Sequence, residues 1–244
     1  MSSKPLAIDL FCGLGGWAEG ALAEGYDVIG FDIEQHVYGD MRYPAQLVIQ
    51  DVLTLHGSQF KDAALIVASP PCQFFSYTAM PWTKAKALAA AVRADPVRLE
   101  KELALFKACF RIQREACEAA GRHIPLVVEN VRGAVPWVGK AKWAAGSMYL
   151  WGDVPALMPI YRHVKVKSFR FDGSGASFQS ASVRDVEPRW FNDGPLGPAD
   201  SLASMGSKPP RRKAASAMIA KIPEPLARHI AAVYRPLRAD GEAA

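Results

Sequence analysis

Three short runs of the sequence hold residue types that can do chemistry together. Cys72 stands in Ser69-Pro70-Pro71-Cys72-Gln73, directly behind the apolar run Leu65 to Ala68. A run that short and that apolar has the length of a strand buried on both faces. Two prolines cannot continue a ladder, so the thiol is set on a stiff turn at the strand's exit. Glu129-Asn130-Val131 follows a second such run, Ile124 to Val128. In an open α/β sheet, ligands bind in the crevice outside the carboxyl ends of the strands. A nucleophile and an acid are therefore expected at one edge. Taken singly, Cys72 would be an inert buried thiol and Glu129 a helix cap; their shared edge is what gives them a task.

The third run is Asp9-Leu10-Phe11-Cys12-Gly13-Leu14-Gly15-Gly16-Trp17, glycines between a strand and a helix. Here the backbone can approach a ligand with no Cβ in the way. Asp32, about one β-α-β unit later, is placed to accept hydrogen bonds from a ribose, and Asp51 to meet an adenine amino group, although an isolated aspartate is more often a turn cap. Read as Gly13-x-Gly15-x-x-Ala18, the turn also satisfies the dinucleotide fingerprint. A nicotinamide-type oxidoreductase stays open at this point, and it leaves Cys72 and Glu129 unexplained.

These residues need elements to position them. The sequence predicts a strand over Leu6 to Leu10, a helix through Glu24 ended by Gly25, and strands over Asp27 to Phe31, Leu47 to Val52 and Leu65 to Ala68. Asp95-Pro96 opens a long helix as N-cap and first residue. Its apolar stripe runs through Leu99, Leu103, Phe106, Phe110 and Cys117 to a stop near Gly121. Cys109 and Cys117 are core thiols on this reading. Strands Ile124 to Val128 and Gly146 to Gly152 follow, and helices return over Ala214 to Ala220 and Pro225 to Tyr234. Alternating apolar strands and helices predict an α/β fold with a doubly wound, parallel, Rossmann-like sheet. Beyond Gly139 the pattern loosens, which makes a separate lobe plausible. From about Arg162 to Pro210 the chain is rich in Gly, Ser and Pro and should be irregular. The division expected is residues 1–160 plus 214–238 in one domain and a small lobe over 161–213.

The 244 residues, 50% of them hydrophobic, suffice for one sizeable core. Lys and Arg outnumber Asp and Glu by 29 to 24, a formal charge of +5 that suits a polyanionic partner. The excess is concentrated late, in Arg132 to Arg170 and in Lys208, Arg211, Arg212 and Lys213. Four cysteines without C-x-x-C spacing indicate neither a zinc site nor a disulfide framework. No metal is expected, and a reducing cytoplasm fits. Met1 to Pro5 lead into a strand without a leader-like pattern, and no apolar run approaches the ~20 residues needed to span a bilayer.

In order and spacing, the D-L-F-x-G-x-G-G turn, P-P-C-Q and E-N-V resemble the DNA cytosine-5 methyltransferase family, in its compact phage and bacterial form, over most of residues 5 to 135. The resemblance implies S-adenosylmethionine as cofactor, duplex DNA as partner, a monomeric enzyme in a bacterial host cytoplasm, and a restriction-modification setting. It makes Cys72 the nucleophile that adds to C6 of a flipped cytosine, Glu129 the group at N3 and the exocyclic amine, and Asn130 the holder of the loop. Phe11, Gly13, Leu14, Gly15, Gly16, Asp32, Ile33, Asp51, Val52 and Pro71 would line the cofactor pocket. Gln73, Phe74, Phe75 and Ser76 would start a loop closing over DNA. Arg132, Lys165 and Lys167 would touch DNA, since phosphate contacts supply most of the affinity.

The sequence departs from that family twice. In place of a Q-x-R-x-R strand it has Tyr161-Arg162-His163-Val164-Lys165-Val166-Lys167, with Arg162, Lys165 and Lys167 the nearest candidates to touch the target base. His163 reads as a surface or packed histidine. In place of G-N-x-V it has Ile219-Ala220-Lys221-Ile222, which puts Lys221 near the cofactor's amino-acid end, even to favour a donor with an extra carboxylate. The short lobe implies a short or degenerate target site. An RNA cytosine methyltransferase and a non-catalytic DNA-binding relative are the other readings of the same motifs.

Overall fold

The computed structural model describes residues 4–76, 82–159, 217 and 220–236. Arg162, His163, Lys165, Lys167 and the cluster Lys208 to Lys213 lie outside the described residues, as does the whole of the expected lobe over 161–213.

The first four strands are β1 (Leu6–Leu10), β2 (Asp27–Asp32), β3 (Gln46–Ile49) and β4 (Ala63–Ala68), with α1 (Gly16–Ala23) between β1 and β2. Then come α2 (Trp82–Ala94), α3 (Pro96–Ala120), β5 (Leu126–Asn130), α4 (Val135–Val138), β6 (Trp143–Ala145), β7 (Met148–Gly152) and α5 (Glu224–Tyr234). The seven strands form one sheet in the order β3-β2-β1-β4-β5-β7-β6. From β3 to β5 every pairing is parallel, with Leu10 level with both Phe31 and Ala68, and Ala68 level with Val128. This alignment brings the exits of β1, β2, β4 and β5 to one edge.

The expected parallel sheet is extended at its far side by an antiparallel pair. β7 runs antiparallel to β5, and β6 antiparallel to β7. The connection from β6 to β7 is a tight turn through Gly146 at φ 58, too short for a crossover, so the pair must be a hairpin. The segment after Gly139 therefore completes the sheet and is no separate lobe, at least as far as Gly152. Two further expectations shift: the third strand ends at Ile49, with Val52 in a 3-10 turn, and Glu129 and Asn130 close β5 from within the ladder.

The core lies on both faces of the sheet. On one side α3 lays Leu103, Phe106, Cys109, Ile112 and Ala116 over Ile8, Ile66, Leu126 and Val128. On the other, α1 and α5 cover Ala7, Val28, Leu65 and Val127 with Trp17, Ala18, Leu226 and Ile230. The α3 helix begins as its sequence requires, with the Asp95 side chain accepting from the Val97 and Arg98 amides, and ends on Gly121 at φ 63. Helices α1 and α5 meet closely because Gly20 has no side chain. A Cβ there would lie 2.4 Å from the Ala227 Cβ. The Tyr26 hydroxyl, in the buried turn after α1, donates to the Ala231 carbonyl at 3.0 Å, and the Tyr234 hydroxyl donates to the Asp153 carbonyl.

Candidate active site

The glycine turn after β1 is held in an uncommon backbone path. Phe11 has φ 58, a left-handed conformation that costs a residue with a Cβ about 1 kcal/mol or more. Two bonds of the next residue hold it there: the Cys12 amide donates to the Phe31 carbonyl at 3.2 Å, and the Cys12 carbonyl accepts from the Gly15 amide at 2.8 Å. Gly13, at φ 51, faces open space, so any side chain there would fill the volume in front of the turn. Gly15 and Gly16 are closed in from behind, where a Cβ would strike Pro44 or the Ile222 backbone at 2.4 Å.

A cavity of about 360 Å³ opens over this turn. Its walls include every residue expected around a cofactor: Phe11, Gly13, Leu14, Gly15, Gly16, Asp32, Ile33, Asp51, Val52, Pro71 and Lys221. A space of that size, reached by glycine backbone and a carboxylate, suits a nucleoside-sized ligand. Asp32 is nevertheless already engaged by its own chain. Oδ2 accepts from the Gly13 amide at 2.9 Å and Oδ1 from the Ile33 amide at 2.8 Å, tying the β1 turn to the exit of β2. Burial opposes its charge, yet His36 and the Gly13 and Glu34 amides outweigh it and hold the carboxyl below its usual range. Asp51 likewise accepts from the Leu53 amide at 2.9 Å, so it caps a turn and faces the cavity together. Ile33 is 71% exposed at the rim, unusual for its type.

Lys221 reaches the cavity, but its ammonium is paired. Nζ lies 2.6 Å from Glu19 Oε1 on α1.

Cys72 and Glu129 sit where β4 and β5 leave the sheet side by side. Ser69 follows Ala68 and Glu129 follows Val128, the last paired residues of the ladder. Asn130 is buried and donates from Nδ2 to the Pro70 carbonyl at 2.8 Å, while its Oδ1 accepts from the Val131 amide at 2.9 Å. The proline turn and the end of β5 are thus clamped together, with Ser69, Pro71 and Gln73 on the cavity wall around Cys72. The Cys72 carbonyl accepts from the Ser76 amide at 2.8 Å. Glu129 has its acidity pushed to about 8, because burial disfavours its charge and the Ser69 side-chain hydrogen bond only partly offsets this. At neutral pH it carries a proton that it can donate.

Residues 6–85 match the family model of the C-5 cytosine-specific DNA methylases. This segment contains the glycine turn, Asp32, Asp51 and the proline turn with Cys72; Glu129 and Asn130 of β5 follow it. Among solved structures, a prophage-encoded E. coli protein described as a DNA modification methyltransferase is 26% identical, over 54% of this chain and 33% of its own, at a TM-score of 0.35. An S. pombe Dnmt2 methyltransferase is 16% identical, over 56% of this chain and 37% of its own, at 0.34. The Entamoeba histolytica methyltransferase EhMeth is 17% identical, over 56% and 41%, at 0.36. The chain thus spans 33% to 41% of the length of these structures. No curated protein matches.

Of the residues expected against DNA, Gln73 and Arg132 are exposed at the site's edge and Ser76 is half-buried. Phe75 is a correction: it is 2% exposed, edge-on to Phe74 and Phe106 in the α3 core. An aromatic ring next to a buried helix gains more from that core than from solvent. Sequence reasoning missed Trp17, Ser69 and His36. A polar residue just ahead of two prolines, an indole just after two glycines and a histidine four residues from Asp32 were the available signals. Among the described residues no group of His, Cys, Asp and Glu is placed to hold a metal, and no helix is long and apolar enough to cross a membrane.

Proposed function

We propose that this protein transfers a methyl group from S-adenosylmethionine to C5 of cytosine in DNA. The observation that carries the reading is the Asn130 to Pro70 clamp, which sets the Cys72 turn and Glu129 together beside the glycine-lined cavity. The methylase match over residues 6–85 supports it. S-adenosylmethionine, when bound, supplies an electrophilic methyl group. Phe11, Gly13 to Gly16, Asp32, Ile33, Asp51, Val52 and Pro71 would hold it, with Gly13 leaving the room that any side chain would take.

The chain's own residues do the rest. Cytosine C5 is too weak a nucleophile unaided. Cys72 Sγ, as thiolate, forms a bond to C6, and the ring electrons move toward C5. Glu129, protonated at neutral pH through burial, donates to N3 and so accepts the charge that this addition develops. After C5 has gained the methyl group, it loses its proton to a base, the double bond re-forms and Cys72 leaves C6. The ring must leave the helix stack for this, at a cost of a few kcal/mol. Gln73, Ser76 and Arg132 stand at the edge that DNA would approach, and Arg162, Lys165 and Lys167 are proposed to add contacts from the lobe over 161–213.

Duplex DNA carrying 5-fluorocytosine, which has no C5 proton to lose, tests this. With S-adenosylmethionine, the wild type should form a covalent adduct that Cys72→Ser abolishes. Adduct formation with RNA alone would overturn the DNA assignment, and none on either would overturn the reaction.

A further inference from the structure

A second cavity, of about 540 Å³, lies between α4 and the hairpin of β6 and β7. Arg132, Lys140 and Lys142 line it, with Val135, Pro136 and Tyr149 among its other walls. No Asp or Glu lines it, and among the described residues none of these three exposed cations is in an ion pair. Like charges around one space repel, and an anion among them turns that cost into attraction. The wall that presents them is fixed. The Gly139 carbonyl accepts from Trp151 Nε1 at 3.0 Å and the Gly139 amide donates to the Val135 carbonyl at 3.1 Å, while the Lys142 amide donates to the Leu150 carbonyl at 2.8 Å. Lys140 thus stands between two anchored points, on backbone that needs no ordering when a ligand arrives.

Strand register relates this cavity to the reaction. Tyr149 is level with Asn130 across β7 and β5, and Arg132 follows Asn130 by two positions, at most about 7 Å of chain. The same Asn130 holds the Cys72 turn through Pro70. A DNA strand rises about 3.4 Å per nucleotide, so a strand engaged at Glu129 passes the cavity within a few nucleotides of the reacting base. The walls name the ligand. An inorganic anion would need the cations alone, whereas cations joined to a phenol ring and apolar side chains match a nucleotide, its phosphate on the charges and its sugar or base against Tyr149, Val135 and Pro136. We infer that this cavity is a second nucleotide subsite, which takes a nucleotide of the DNA strand flanking the flipped cytosine. This rests on the proposed methylation of DNA and deepens it. The grip on DNA is then built partly on the same sheet that positions Cys72 and Glu129.

The test is equilibrium binding of the full-length protein to a fluorescein-labelled DNA duplex of mixed sequence, since phosphate contacts carry no sequence information, over about 50 to 200 mM salt. Lys140→Ala and Lys142→Ala should each flatten the slope of log K against log salt by about one, and the double variant by about two. Tyr149→Ala should weaken binding about tenfold, and Tyr149→Phe should hold it. Lys61→Ala removes an equal charge ahead of β4, at the opposite edge of the sheet, and should keep the wild-type slope. A merely structural defect would lower the binding-competent fraction and leave the slope in place. Should Tyr149→Ala fail to fold, the two exposed lysines carry the test. Unmoved slopes in both lysine variants overturn the inference, as does a slope that falls as far in Lys61→Ala. Slopes that move with an RNA duplex of the same sequence and stay fixed with DNA overturn the assignment to DNA. Because binding needs no methyl transfer, a wild type that shows these slopes and forms no Cys72 adduct defeats the proposed reaction alone, and an adduct with unmoved slopes defeats the subsite alone.

Discussion

Asn130 donates across 2.8 Å to the carbonyl of Pro70, sixty positions earlier in the chain, and so joins the turn bearing Cys72 to the strand that ends beside it. Both partners are buried, and water cannot stand in for a lost amide. Asn130→Ala strands the Pro70 carbonyl and the Val131 amide, and should cost about 1–3 kcal/mol of stability. Methyl transfer should fall more than cofactor affinity. Urea unfolding beside kcat and cofactor Kd checks both, and an unchanged kcat would show the clamp to be dispensable.

Gly20→Ala should separate α1 from α5. The added methyl would meet Ala227 at 2.4 Å, and neither backbone has a flexible tip to yield. Overpacking of this kind costs about 1–3 kcal/mol. Because Lys221 and Ile222, just ahead of α5, wall the cavity, cofactor affinity should drop with stability. Thermal unfolding with and without S-adenosylmethionine reads both effects.

Stability should decline as pH rises through neutrality. Burial raises Asp9 from 3.8 to about 8, with the Tyr43 hydroxyl offsetting it in part and the Asp32 charge adding to it. Glu129 moves from 4.5 to about 8 for the reason of burial. Within those windows the native protein keeps protons that the unfolded chain has released, so stability falls with pH and levels above about 8. Asp32 has the opposite sign: held below its usual range, its contribution is present above the unfolded value and lost in acid. Asp9→Asn should flatten the decline between about pH 5 and 8, read as urea midpoints. An equal slope in wild type and variant would remove Asp9 from the account.

Lys221→Ala should change the Kd for S-adenosylmethionine by less than about threefold, because an ammonium already paired with Glu19 contributes little to a ligand beside it. Glu19→Gln frees that ammonium toward the cavity and should favour a donor bearing an extra carboxylate. Calorimetry with both donors decides it, and a large loss in Lys221→Ala would mean that the lysine leaves Glu19 when ligand binds.

Much of this was legible in the sequence because each signal was local. Asp95-Pro96 and Gly121 bounded α3, and the apolar runs with their proline and glycine exits located β1, β4 and the glycine turn. What escaped was set by tertiary pairing. The hairpin of β6 and β7 depends on its partner β5, since strand direction is not written in an apolar run. The burial of Phe75 depends on Phe106, thirty-one positions away. The capture of Lys221 by Glu19 and of Ser69 by Trp17 joins residues far apart in the chain, for which no periodicity stands as a sign.

The wall that Lys221 and Ile222 lend to the cavity reaches it from more than two hundred positions beyond the glycine turn. A ribosome making this protein will have exposed the thiol, the acid and the glycines long before that wall emerges from the exit tunnel. A nascent chain would therefore hold the thiol, the acid and the glycines without the enclosure, and the cavity would close abruptly, only once that wall has emerged.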